Sequence, residues 1–142
     1  SIVPNGGNSF NGVVRDLAVE FPDFLIVTTD WYKVEDARSF FTEPGDHAGE
    51  LETSMMLHYY PEYVKPQETY GTGATRQFAI SGLNNRSFSL PRNWRRVSED
   101  TGIGNPQHAS AENGKLFAEA VSNVVAEFIC DFANATSDNL YR

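Results

Sequence analysis

Residues 10–29 read FNGVVRDLAVEFPDFLIVTT. Phe10, Val13, Val14, Leu17, Ala18 and Phe21 recur at the three- and four-residue spacing of an amphipathic helix. From Phe24 to Thr29 the pattern changes to an unbroken aromatic and β-branched run, the composition of a strand buried on both faces. Upstream, Ile2-Val3 resembles the end of a strand, and Val3-Pro4-Asn5-Gly6-Gly7-Asn8 is a turn cluster. Strand, glycine turn, helix and strand in succession predict a βαβ unit. The expectation is therefore an α/β protein, a three-layer α/β/α arrangement around a mostly parallel sheet.

Further along, Pro44-Gly45-Asp46 makes a turn before a second helical stretch from about Ala48 to Tyr60, which Pro61 stops. Residues 62–108 are broken repeatedly by Gly71, Gly73, Gly82, Asn84, Asn85, Pro91 and Pro106, and predict a long irregular excursion with one or two short strands, around Gln77 to Ile80. From about Ser110 to Phe132, Phe117, Val121, Val124, Val125, Phe128 and Phe132 mark a long amphipathic helix expected to lie against the sheet. Residues 1–142 read as the C-terminal portion of one domain, its first strands lying outside the chain.

The 142 residues carry a net charge of −8. Acidic residues are scattered through the chain, and such a field disfavours phosphate backbones, so nucleic acid is not an expected partner. No apolar run has the length of a membrane span. Cys130 is the single cysteine and lies among Phe128, Ile129 and Phe132. It reads as a buried thiol of a reducing, cytoplasmic compartment.

The segment His47-Ala48-Gly49-Glu50-Leu51-Glu52-Thr53-Ser54-Met55-Met56-Leu57 is the richest in chemistry. On a helix, Glu52 has Ala48, Gly49, Met55 and Met56 as its neighbours three and four positions away, so its carboxylate leaves an apolar face. A carboxylate there needs a partner, whether an arginine or a metal ion. Glu50, on the other side of the same helix, is expected to face water. His47 stands at the helix start, where an imidazole can meet a ligand or merely cap the helix. His58 reads as packing beside Tyr59 and Tyr60, and His108 as a solvated loop residue.

His-Ala-Gly-x-x-Glu-Thr-Ser followed by Met-Met-Leu and Pro61 resembles the signature of the creatininase (creatinine amidohydrolase) family. Gly6-Gly7-Asn8-Ser9-Phe10 resembles the end of that family's Asn-Gly-His-Gly-Gly-Asn turn. Asp100 to Pro106 and Ser110 to Gly114 resemble its C-terminal loop and helix start. The resemblance implies a layered α/β/α fold and a metal-dependent amidohydrolase that cleaves the C–N bond of a small cyclic or linear amide. It implies a divalent metal, zinc foremost, with manganese or iron as the other candidates. On the matching positions it makes Glu52 a metal ligand and His47 the catalytic residue that contacts substrate or moves a proton to the leaving nitrogen. Asn5, Gly6, Gly7 and Asn8 become the substrate-binding turn.

The family supplies further metal ligands from a segment preceding the glycine turn, so the resemblance also implies an N-terminal fragment or subunit that completes the site. Asn5 stands where the family's metal-binding histidine is expected, which keeps a second reading open: a non-catalytic member that binds a ligand or partner. The family's closed assemblies imply a homo-oligomer, and the aromatics from Tyr59 to Trp94 read either as its interface or as local core.

Overall fold

The computed structural model describes residues 7–85, 87, 88, 90–136 and 138–141. It contains five α-helices: α1 (Gly7–Glu20), α2 (Glu50–Tyr59), α3 (Ser81–Asn84), α4 (Trp94–Val97) and α5 (Ala111–Ala133). Short 3-10 turns at Trp31–Lys33, Ala37–Ser39, Pro61–Tyr63 and Gln67–Thr69 punctuate the connections. The three long helices lie close to the helical stretches that the sequence predicts.

The sheet is not there. Among the described residues no strand forms, and backbone pairing is limited to two isolated antiparallel bridges, His47 with Ile103 and Thr75 with Ser98. This overturns the three-layer α/β/α expectation. Residues 24–29 are irregular, with Phe24 and Val27 exposed. The physical reason is that a strand exists only through a partner: its N–H and C=O groups must meet a neighbouring chain, and no such neighbour runs beside this segment among the described residues. Gln77 to Ile80 likewise forms no strand. Ile2-Val3 lies outside the described residues.

The chain divides into two compact units, Ser1–Glu35 with Ala120–Arg142, and Asp36–Glu119. The first holds α1 and the C-terminal turns of α5. Its α5 portion carries exposed Val124, Phe128 and Ile129, and Cys130 is exposed as well. The buried-thiol reading of Cys130 is thus corrected: the apolar residues around it do not close over it.

The second unit contains α2, the excursion and the start of α5. Phe117 on α5 is fully buried, with the rings of Phe40 and Phe41 each 5.3 Å away in edge-on geometry. Phe41, Leu51 and Ala118 are buried too. Burial of this aromatic cluster is what ties α5 to the turn before α2, since large rings remove the most apolar area per residue. Helices α2 and α5 meet at Gly114: a Cβ there would lie 2.1 Å from the Ser54 carbonyl oxygen. Beside this approach, the buried Ser54 hydroxyl accepts from the Ser110 backbone N–H at 3.0 Å.

A second close junction joins three backbones. A Cβ on Gly104 would lie 2.4 Å from the Gly45 Cα, and one on Gly49 would lie 2.8 Å from it. Gly45 and Gly104 also adopt φ values of +79° and +124°, conformations that side-chain-bearing residues rarely take. With the Ile103 N–H donating to His47 and the Asp46 and His47 N–H groups donating back to Ile103, the junction fixes the chain that enters α2.

Candidate functional site

α2 begins with Gly49 as its N-cap, so Glu50 and Glu52 both lie in the first turn, where carboxylates meet the positive end of the helix. Their fates differ from the periodicity argument. Glu50 is buried, and its carboxylate accepts from the Glu43 N–H at 2.7 Å. The expectation that it faces water is wrong because the Glu43-Pro44 turn folds back over the helix start, as the Leu51 N–H to Pro44 carbonyl bond shows. Helical period alone does not register such a covering loop.

Glu52 is partly exposed, and one oxygen accepts from the Ala48 N–H at 2.6 Å. Ala48 has φ +51°, an uncommon conformation for a residue with a side chain. The same Glu52 oxygen lies 3.7 Å from His47 Nδ1. The two residues that the motif singled out are therefore brought together, at the mouth of a single turn.

His47 has a second neighbour. The Trp94 ring lies 5.0 Å from it, centroid to centroid, inclined at 58°. The Arg92 guanidinium is 5.7 Å from the Trp94 ring centre and forms two hydrogen bonds, of 2.8 and 2.5 Å, to the two Asp46 carboxylate oxygens. Donating to the Asp46 carboxylate raises the Arg92 pKa above its ordinary value. Sequence reading placed Trp94 among aromatics of an interface or a local core and passed over Arg92; two such residues, two positions apart where a short helix begins, are a signal too common to single out.

Glu52 also lines a cavity of about 450 Å³, whose wall includes Ala48, Met56, Lys65, Tyr70 and Asp100. Burial, reinforced by Glu68, raises the Tyr70 hydroxyl pKa, so Tyr70 offers the cavity a neutral phenol. Asp100 is held by the Gly73 N–H at 3.1 Å and the Gly102 N–H at 2.9 Å. Those donors, Gly73 first, lower its pKa against the opposing effect of desolvation. Its role is to tie the Gly71–Gly73 loop to Gly102, where a Cβ on Gly71 would collide with its carboxylate.

The glycine turn is a different matter. Asn5 and Gly6 lie outside the described residues, and Gly7 and Asn8 open α1 in the other compact unit. The His58 ring lies 4.5 Å from that of Tyr59, tilted at 57°, and His108 is exposed, both as their sequence contexts suggest. Among the described residues, no three His, Cys, Asp or Glu side chains are grouped so as to hold a metal ion. Glu52 fits as one oxygen ligand by its chemistry and partial exposure, but these residues alone do not build a metal centre. No helix among them is long and apolar enough to cross a membrane.

Comparison with known proteins bears on the same segments. No curated protein matches the chain. A solved structure from Bacteroides fragilis NCTC 9343, of a protein proposed to be a creatinine amidohydrolase, superposes with a TM-score of 0.86 at 40% identity. The match covers 97% of this chain and 53% of that one, so this chain spans about half the length of the solved protein. The family model described as creatininase, creatinine amidohydrolase, matches residues 4–129, a span that includes the glycine turn, the His47 to Leu57 segment and most of α5. The chain belongs to the creatininase family.

Proposed function

We propose that this chain carries part of the active site of a metal-dependent amidohydrolase acting on the C–N bond of a small cyclic or linear amide. The observation that supports this most is the 3.7 Å approach of His47 Nδ1 to the Glu52 carboxylate beside a cavity that Glu52 lines. Glu52 is one ligand of a divalent ion, zinc by preference, and the remaining ligands come from an N-terminal polypeptide segment or subunit outside this chain. When bound, such an ion polarises the amide carbonyl and lowers the pKa of its water. His47 holds the proton that the leaving nitrogen takes up as the C–N bond breaks. The Asn5 to Asn8 turn contributes substrate contacts. The assembly is a cytoplasmic homo-oligomer; exposed Tyr59, Tyr60 and Tyr63, with consecutive ring centres 6.3 Å apart, offer an aromatic surface for its interface.

The test is metal analysis and hydrolysis of creatinine and a panel of small amides by the purified assembly. Glu52→Gln should lower metal content and turnover together, and His47→Ala should lower turnover with metal retained. Native mass spectrometry should show the second polypeptide and the oligomer. A metal-free assembly that hydrolyses nothing would instead support the non-catalytic reading that Asn5 suggests.

A further inference from the structure

The proposed proton carrier needs a fixed orientation, and Glu52 approaches it at one ring nitrogen. At 3.7 Å, His47 Nδ1 and Glu52 are an ion-pair distance apart without a short hydrogen bond between them. An imidazole held so loosely can turn about its χ2 torsion, which is broad for a ring on an sp³ carbon. What limits that rotation is the ring of Trp94, 5.0 Å away centroid to centroid.

Trp94 is not anchored by its own helix, which is only four residues long and leaves it 41% exposed. It is anchored by Arg92. The guanidinium lies over the indole and is itself fixed in a two-point fork on Asp46, the residue immediately before His47. Two short segments far apart in sequence are thereby clasped, Asp46-His47 against Arg92-x-Trp94: one arm is a bidentate ion pair, and the other is the contact between rings. The forked geometry gives directionality that a single charge contact lacks, and the guanidinium's planar face suits an aromatic neighbour.

We propose that Trp94, held by the Arg92–Asp46 fork, is a positioning residue that sets the orientation of the His47 ring for proton transfer. Trp94 acts through His47 and donates no proton. The inference rests on the proposed role of His47 in hydrolysis, but the geometry of the clasp can be read without any activity.

The experiment compares Trp94→Leu, Trp94→Phe and His47→Ala in the full assembly. In the first readout, histidine ring protons are followed by NMR with ring-labelled histidine; the protein has three histidines, and the His47→Ala variant assigns the one that matters. Trp94→Leu should remove the ring-current displacement and the cross-relaxation between the rings, and Trp94→Phe should keep both. In the second, kcat for amide hydrolysis should fall about 10- to 100-fold in Trp94→Leu, the range for a misplaced catalytic group, with KM changed less than about threefold. Trp94→Phe should recover most of it.

A Trp94→Leu variant with unchanged kcat alongside an inactive His47→Ala would overturn the positioning role and leave the hydrolytic reading intact. Phe failing to recover what Leu loses would also overturn it. Full activity in His47→Ala would overturn the hydrolytic role of His47 and this inference with it. If the assembly hydrolyses no substrate, NMR decides alone: a His47 signal indifferent to Trp94 replacement rejects the clasp.

Discussion

Replacing Gly104 with alanine tests whether the junction of Gly45, Gly49 and Gly104 is what holds the entry to α2. Two costs add. At φ +124° an alanine occupies a conformation that L residues rarely take, a strain on the order of 1–3 kcal/mol. Its Cβ would also lie 2.4 Å from the Gly45 Cα and 3.3 Å from the Gly49 Cα. Both obstacles are backbone, so relief requires moving a chain segment and costs roughly another 1–3 kcal/mol. The sum, about 2–6 kcal/mol, is a large part of the ~5–15 kcal/mol that holds a domain folded. Urea denaturation of the assembly measures it through the midpoint at unchanged slope. Gly12→Ala is the matched control, because it lies in α1 with nothing within 4 Å of the added Cβ. It should be neutral or stabilising by up to about 1 kcal/mol. A Gly104→Ala protein within about 0.5 kcal/mol of the parent would refute the close packing of this junction.

Phe117→Ala removes the ring enclosed by Phe40 and Phe41 and should cost about 3–5 kcal/mol by the same denaturation assay; a loss below about 1 kcal/mol would place the core of this unit elsewhere. Ser54→Ala leaves the Ser110 N–H without its acceptor and should cost about 1–3 kcal/mol, visible as a lowered melting midpoint, whereas no change would mean that water replaces the hydroxyl. Asp100 has a folded-state pKa below its ordinary value of 3.8, so its contribution is complete above that value and is lost as pH falls through the lower folded value. Asp100→Asn should therefore destabilise the protein at neutral pH and flatten its stability profile below about pH 4; an unaltered acid limb would reject this linkage.

The helices were legible because their signal is local. Phe10 to Phe21 and Phe117 to Phe132 repeat their apolar residues at helical spacing, the stretch from Ala48 to Tyr60 is bounded by the Pro44-Gly45-Asp46 turn and Pro61, and α1, α5 and α2 follow closely. The run from Phe24 to Thr29 carries an equally plain composition, yet a strand is a property of two segments, and composition describes one. Glu50 and Glu52 show the same limit at the scale of a single turn. Their angular separation on α2 was readable; the burial of Glu50 by the Glu43-Pro44 turn depends on the glycine junction, which joins residues 45 and 104 and leaves no periodic trace. The motif did locate His47 and Glu52, whereas Arg92 and Trp94 reach the same place by a 46-residue connection.

Glu52 holds two positions in this arrangement, and they are separable. Its carboxylate secures the Ala48 N–H at 2.6 Å, and Ala48, with φ +51°, is the bend that turns the chain from His47 into α2. A left-handed alanine persists only where its surroundings hold it. Here the restraints are the Glu52 acceptor on one side and the Ile103 bonds to His47 on the other. Glutamine retains an oxygen that can accept from Ala48 but lacks the negative charge, whereas alanine removes both. A Glu52→Gln protein that folds normally but loses its metal would therefore assign the charge to ligation. If Glu52→Gln instead retained metal and only Glu52→Ala lost stability, the carboxylate would be a helix-start cap, and the site would have to find its ligand elsewhere.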